Sequence, residues 1–466
     1  MTERFSKSVL VGAVLAIGLP ALFYFAYSRP WYFTSKTYLL GLVFLEIVVA
    51  AVWMYRQFFF GFVLLTFLMA GVNLPVGTGW TAARWLVLGA GAAVGILMVL
   101  KDHACHFGLF HLAAIFAVLA GLISAAVSLY PDVALLKTLS MLLLFAYAAT
   151  GARIAVIGRE DRFFGGLLIG CEMFVGLNAL LYGVGIAAMG NPNSLGAVMG
   201  VFGAPILLWG VLLGGKPSVQ GRRLLLYALC MYLAFNSHAR AGIAVALFSS
   251  GVLCVALRRY KLLIEGTVVL VILVAALSIF KPDAISSFAS SVVYKNREEG
   301  ILTSRISPWK AAMDSIQDHP WFGTGLGTIA SGDADEERGT FASSGAVTAE
   351  NGSSYLAMLA GVGLLGAVPF TLLLFLLMVR MFQSWVWMRH TGNSLHPAVP
   401  LTIVMFAGLM HAGFEDWLFA PGSYLCVFFW SLAFVLNDVA PKNVSGLALK
   451  WSPRPAGAIG GIAPTQ

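Results

Sequence analysis

Fourteen apolar runs, most of them close to the length that crosses a bilayer, constrain this chain more than any other feature. They fall at roughly 8–27, 37–55, 58–74, 81–100, 107–127, 133–150, 163–188, 194–214, 222–236, 240–257, 262–280, 353–380, 398–412 and 420–437, against the roughly 20 residues a spanning helix needs. A chain of 466 residues that is 59% hydrophobic and only 11% charged, with mean hydropathy +0.86, is not a soluble globular enzyme, because soluble domains carry about 25% charged residues. Runs such as 262–280 and 364–379 are continuously apolar, without the alternation of a membrane β-barrel strand. The expected fold is therefore all-α and polytopic, with about 12–14 transmembrane helices. The run at 8–27 follows Arg4 and Lys7 and has no small-x-small cleavage site before Arg29-Pro30, so it reads as an uncleaved first span.

The basic residues orient the bundle. With the N-terminus in the cytoplasm, the short outer segments hold 5 of the 29 Lys and Arg (Arg29, Lys36, Arg84, Lys137 and Arg240). The long segment 281–352 holds 6, which leaves 18 on the inner side. This is the positive-inside pattern. It accounts for the net charge of +8 without nucleic-acid binding. The expected organisation is transmembrane helices over 1–280, an extracytoplasmic loop domain at 281–352 between late spans, the last helices at 353–437, and a cytoplasmic, poorly ordered tail at 438–466. The five cysteines show neither metal-ligand spacing nor a disulfide framework. No cofactor and no metal is expected.

The polar chemistry then gathers on the non-cytoplasmic face, where no ATP is present and any enzyme must use a pre-activated substrate. Arg240, in Asn236-Ser237-His238-Ala239-Arg240, lies at a span boundary. It reads either as a clamp for a lipid phosphate or as an arginine snorkelling to ordinary headgroups. His238 reads as an interfacial histidine. In the long loop, Ser307-Pro308 has the form of an N-cap and first helical residue. Trp309, Ala312, Met313 and Ile316 then share a face, and His319-Pro320 closes the helix. Arg305 just before that start and Lys310 in the first turn suit an anion site, or equally the basic face of an interfacial helix. Gly323-Thr324-Gly325-Leu326-Gly327 lacks the flanking strand and Lys of a nucleotide loop and reads as a sharp turn back to the bundle. The acidic run Asp333 to Glu337 reads as a solvated loop tip or a metal site. Glu350 precedes the next span and reads as a general base or a solvated cap. His411 and Glu415, four residues apart, are placed to share a helix face. Glu172 is deep enough in a span to be functional, with no partner legible.

Four of these segments resemble the O-antigen ligase/polymerase family of bacterial membrane glycosyltransferases. They are Asn191-Pro192-Asn193-Ser194-Leu195-Gly196, then Ser237-His238-Ala239-Arg240-Ala241-Gly242, then Ser304-Arg305 through Trp309 to His319-Pro320-Trp321-Phe322-Gly323-Thr324-Gly325, and Glu350-Asn351-Gly352-Ser353-Ser354-Tyr355-Leu356 with Gly363-Leu364-Leu365-Gly366. The third is the most specific. The arginine after Ser237 is displaced from its place in the family segment, and family ligases place a His where this chain has Glu350; that glutamate, with the Glu415-Asp416 pair near the end, leans the likeness toward exopolysaccharide-type polymerases. The resemblance implies a GT-C-like enzyme in the bacterial inner membrane, with both termini cytoplasmic. It would polymerise polyprenyl-diphosphate-linked oligosaccharide repeats on the periplasmic face, beside flippase and chain-length or export proteins. Glu350, Arg305 and Arg240 would carry the chemistry. Lys310, Asn191, Asn193, His238, Trp309 and His411 would contact substrate. A ligase acting on lipid A core or protein is the alternative within the family, and a lipid-linked oligosaccharide flippase is the alternative outside it.

Overall fold

The computed structural model describes residues 41, 44–48, 59–71, 79–102, 107–186, 189, 191–280, 290, 303–328 and 352–441. Among them the regular structure is helical throughout: α1 (Phe59–Gly71), α2 (Gly79–Asp102), α3 (Leu109–Val127), α4 (Pro131–Val156), α5 (Glu160–Gly183), α6 (Pro192–Leu212), α7 (Pro217–Asn236), α8 (Arg240–Ala256), α9 (Tyr260–Phe280), α10 (Thr303–Asp318), α11 (Ser354–Thr391), α12 (Ala398–Ala412) and α13 (Tyr424–Val439). Six helices are long and apolar enough to cross a membrane, in α2 to α6 and in α11, and α1, α8, α12 and α13 are shorter apolar helices. Each expected span from 58–74 onward falls on one of these elements. The runs at 8–27 and 37–55 lie outside the described residues, apart from 41 and 44–48.

The centre of the bundle is α13, where every residue from Leu425 to Leu436 is buried. A helix apolar on all sides belongs in the interior. Its aromatic residues tie the neighbours together edge to face: Phe428 on Phe202 of α6, Trp430 on Phe145 of α4, and Phe434 on Phe110 of α3. α6 is nearly as enclosed. By contrast α3 exposes Leu112, Ile115, Phe116, Leu119 and Ile123 at helical spacing, the lipid-facing stripe of a peripheral span. Glu172, on α5, is bonded by Arg222 at 2.7 Å and Arg223 at 3.1 Å, both on α7. A buried carboxylate in a membrane is tolerated when paired in this way, and Arg223 also donates to the Gly210 carbonyl of α6.

The ends of the helices sort into two sets. At one end Ser128 and Lys137 donate to carbonyls of 324 and 327, and Tyr355 donates to Leu409. At the other, Trp209 donates to Ser394, Arg389 to Val255, and Arg153 to Asp438. The first set carries the segments singled out above. The second carries most of the arginines.

α10 starts at Thr303, so Arg305 is inside its first turn and Pro308 is interior. The Ser307-Pro308 capping pattern is thus overridden. Pro308, the sixth residue of the helix, removes the amide that would otherwise bond the Ser304 carbonyl. Tertiary contacts of Arg305 and Trp309 hold the additional turn. Of the expected apolar face, Ala312 is buried, Trp309 and Ile316 are half-buried, and Met313 is exposed. The helix ends at Asp318, immediately before His319-Pro320.

α11 is two helices. Gly363 breaks it with φ 67° and ψ −178°. A break in a helix strands carbonyls on one side and amides on the other. Here the loop after α10 satisfies both. Thr324 and Gly325 donate to the carbonyls of Ala360 and Gly361, and Leu364 and Leu365 donate to those of Pro320 and Trp321. Ser124 of α3 adds a bond to the Gly361 carbonyl. The His-Pro-Trp-Phe-Gly-Thr-Gly stretch is therefore a plug in a broken helix, which fixes α10 against the bundle.

Candidate functional site

The site is assembled from three short pieces of chain held at the plugged end of the bundle. The first is the turn between α7 and α8. His238 adopts φ 52° and is exposed, with Ser237 accepting from the Ala239 amide and donating to Ala234. This turn delivers Arg240 as the first residue of α8. It is locked by contact with α6. A Cβ on Gly196 would lie 2.5 Å from Ser237 Oγ, one on Gly200 would lie 2.3 Å from the Gly242 carbonyl oxygen, and one on Gly242 would lie 2.3 Å from that of Gly196. Gly196-x-x-x-Gly200 against Gly242 is a small-residue crossing of two membrane helices. It joins the Asn-Pro-Asn segment to the Arg240 segment, a contact whose only trace in the sequence is the glycine spacing.

Asn191 and Asn193 begin α6. Asn191 is its N-cap, with Oδ1 accepting from the Asn193 amide at 2.9 Å, and Asn191 is exposed while Asn193 is half-buried. Their visible work is to start the helix.

The second piece is α10. Arg305 forms an ion pair with Glu415. Its charge also acts on Arg240, 65 positions earlier, and on His411. Trp309 Nε1 donates to the Gly352 carbonyl at 3.4 Å, and a Cβ on Gly352 would lie 3.4 Å from Arg305. Gly352 stands at φ 62°, which keeps the start of α11 close under Arg305. Lys310 is exposed on the same helix, apart from the ion pair. Glu350, two positions before Gly352, lies outside the described residues, as does the acidic run Asp333 to Glu337.

The third piece is the turn after α12. α12 ends at Ala412, so His411 and Glu415 are not on one helix face. The turn instead points them apart. His411 is buried and accepts from Trp417 Nε1 at 2.8 Å, while Glu415 reaches to Arg305. Ser354, fully buried at the start of α11, organises the turn. Its hydroxyl donates to the Glu415 carbonyl at 2.7 Å and accepts from the amides of Trp417 and Leu418, each at 3.0 Å. Beside it, Asp416 acts electrostatically on Lys137, which is bonded to the Gly327 carbonyl of the plug. Neither Ser354 nor Lys137 stands out in the sequence as part of a site.

Arg305, paired with Glu415 and partly open to water, acts electrostatically on Arg240, so this end of the bundle carries positive charge suited to an anion. Among the described residues no group of three His, Cys, Asp or Glu side chains could hold a metal ion.

Residues 224–371 match the family model for O-antigen ligases. This segment of the chain is similar to O-antigen ligases. It opens within α7 and closes within α11, so it contains Arg240, Arg305, Trp309, Lys310, the plug and the Gly363 break. The O-antigen ligase match leaves out α6 with Asn191 and the α12 turn with His411 and Glu415. Both nevertheless pack onto it through the contacts above. No curated protein matches the chain.

Proposed function

We propose that this protein is a membrane glycosyltransferase that takes oligosaccharide repeats from a polyprenyl diphosphate and polymerises them into an exopolysaccharide or O-antigen on the extracytoplasmic face of the bacterial inner membrane. The observation that carries the reading is that Arg305 and Arg240 both lie at the plugged end of the bundle, inside the segment that matches O-antigen ligases. In the reaction a sugar hydroxyl oxygen of the acceptor attacks the anomeric carbon of the donor. The bond from that carbon to the diphosphate oxygen breaks, and its electron pair leaves with the lipid diphosphate. Negative charge grows on the leaving group, and fixed cations aimed at it lower the barrier. Arg305 and Arg240 fill this role. Glu350, a carboxylate two positions from Gly352 in the chain, takes the hydroxyl proton. The carrier lipid would lie in the membrane beside the bundle, and a flippase and export proteins would act before and after this step.

The reading is tested by replacing Arg305 with Ala in cells that depend on this protein, and measuring polysaccharide length and protein level in the membrane. Polymer is expected to fall by about 100-fold or more, leaving single repeats on the carrier. Glu350→Gln keeps shape, removes the base and is expected to do the same. Normal polymer at normal protein level would overturn the assignment. Long polymer stranded on its carrier lipid would instead identify a ligase, which moves finished glycan onto lipid A core or protein.

A further inference from the structure

Arg305 already has an anion. Glu415 holds its guanidinium, and both side chains remain in contact with solvent, 24% and 28% exposed. An ion pair this open contributes little net stability, yet the turn that presents Glu415 is fixed with care. Ser354 is entirely buried and spends its hydroxyl on the Glu415 carbonyl and on the amides of Trp417 and Leu418. All three bonds are to main chain, so the backbone is anchored while the carboxylate is left able to swing. Arg240, at the same end of the bundle, lies within reach of the charge of Arg305. One carboxylate offers two oxygens and a single charge. A diphosphate offers more of both and can span two guanidinium groups.

We propose that Glu415 is the resident counter-ion of Arg305, displaced when a diphosphate binds and returning as the diphosphate leaves. This rests on the diphosphate reading given above. The exchange moves no net charge into a low-dielectric place unpaired, because Arg305 is matched before and after it. It makes Glu415 a positioning residue with a kinetic signature. A competitor for the arginine weakens donor binding and speeds release of the product diphosphate, so its removal should lower KM and also lower kcat where release limits turnover. A purely structural role predicts the opposite for KM.

The test uses the full chain purified in detergent, with farnesyl diphosphate and inorganic pyrophosphate as probes, and the variants E415Q, E415D and R305A. E415Q is expected to bind farnesyl diphosphate about fivefold tighter than the parent. E415D should return to the parent affinity, and R305A should lose binding. Pyrophosphate should follow the same order of variants. If R305A abolishes binding while E415Q binds no tighter than the parent, the counter-ion role falls and the diphosphate site stands. If R305A binds as the parent does, the diphosphate site itself falls. Tightening confined to the lipid probe would also overturn the exchange, since displacement of a carboxylate does not depend on a tail.

Discussion

Ser354 shows how one hydroxyl can set the geometry of a site it never touches. It accepts two amide bonds and donates one, all inside the protein, and leaving buried amides unpaired costs more than the bonds themselves contribute. Ser354→Ala is therefore expected to destabilise the protein by about 2 kcal/mol and to loosen the turn that carries Glu415. Ser353 next to it makes no side-chain capping bond, so Ser353→Ala is expected to cost under about 1 kcal/mol. Thermal denaturation in detergent compares the two. Equal loss in both variants would show that the hydroxyl of Ser354 does not hold the turn. The same residue marks a boundary of sequence reading. Glu415 and His411 invite pairing because of their spacing, and that pairing fails because α12 stops at Ala412. What joins Glu415 to Arg305 is a contact across 110 positions, and no local pattern announces it. Glu172 is the same case, since its partners Arg222 and Arg223 are about 50 positions away.

At the scale of elements, the plug and the broken helix depend on each other. Gly323 stands at φ +69°, and a Cβ there would lie 2.5 Å from the carbonyl carbon of Gly361 and 2.6 Å from the Ala360 oxygen. Backbone cannot yield as a side-chain tip does. Gly323→Ala is expected to force the loop out of the break, exposing 303–328 to protease and abolishing polymer synthesis. Gly392, at φ +62° past the end of α11, has nothing within 4 Å of its would-be Cβ. Gly392→Ala should then cost about 1–2 kcal/mol, the penalty of the left-handed conformation alone, and keep activity. Limited proteolysis with a polymer assay separates the two, and equal behaviour would mean that the clash is not what matters at Gly323. The elements themselves were largely legible, because a bilayer demands long apolar runs and little else satisfies its backbone. The turn over 323–327 was legible too, through its glycines. The Gly363 break was not. It sits in Val362-Gly363-Leu364-Leu365-Gly366, an apolar stretch that reads as continuous helix, and it exists because a distant loop supplies the missing bonds. The π-helical turns at Ala148–Ala152 and Met199–Gly203 likewise leave no trace in the hydropathy.

For the whole molecule, the two sets of helix ends turn a charge count into a direction. Arg305, Arg240 and the plug occupy one end. Arg153, Arg159, Lys216, Arg258, Arg259 and Arg389 lie at or beside the opposite ends of α4, α5, α7, α8, α9 and α11. Lysine and arginine stay on the cytoplasmic side of short loops during insertion, and the proposed orientation accordingly has the site facing away from the cytoplasm. In that orientation the site would meet no nucleotide, in keeping with the proposed donor, which arrives already activated with a lipid diphosphate as leaving group. The orientation has a direct check. In a background with Cys105→Ser, Asp318→Cys marks the exposed carboxyl end of α10 and Ser218→Cys the exposed start of α7, while the other native cysteines, Cys171, Cys230, Cys254 and Cys426, are buried or half-buried. A membrane-impermeant maleimide applied to intact spheroplasts is expected to label the cysteine at 318 and to reach the one at 218 only after permeabilisation. The reverse pattern would put both arginines on the side where nucleotide sugars are abundant. A lipid-diphosphate donor would then lose its rationale, however well Arg305 and Arg240 converge.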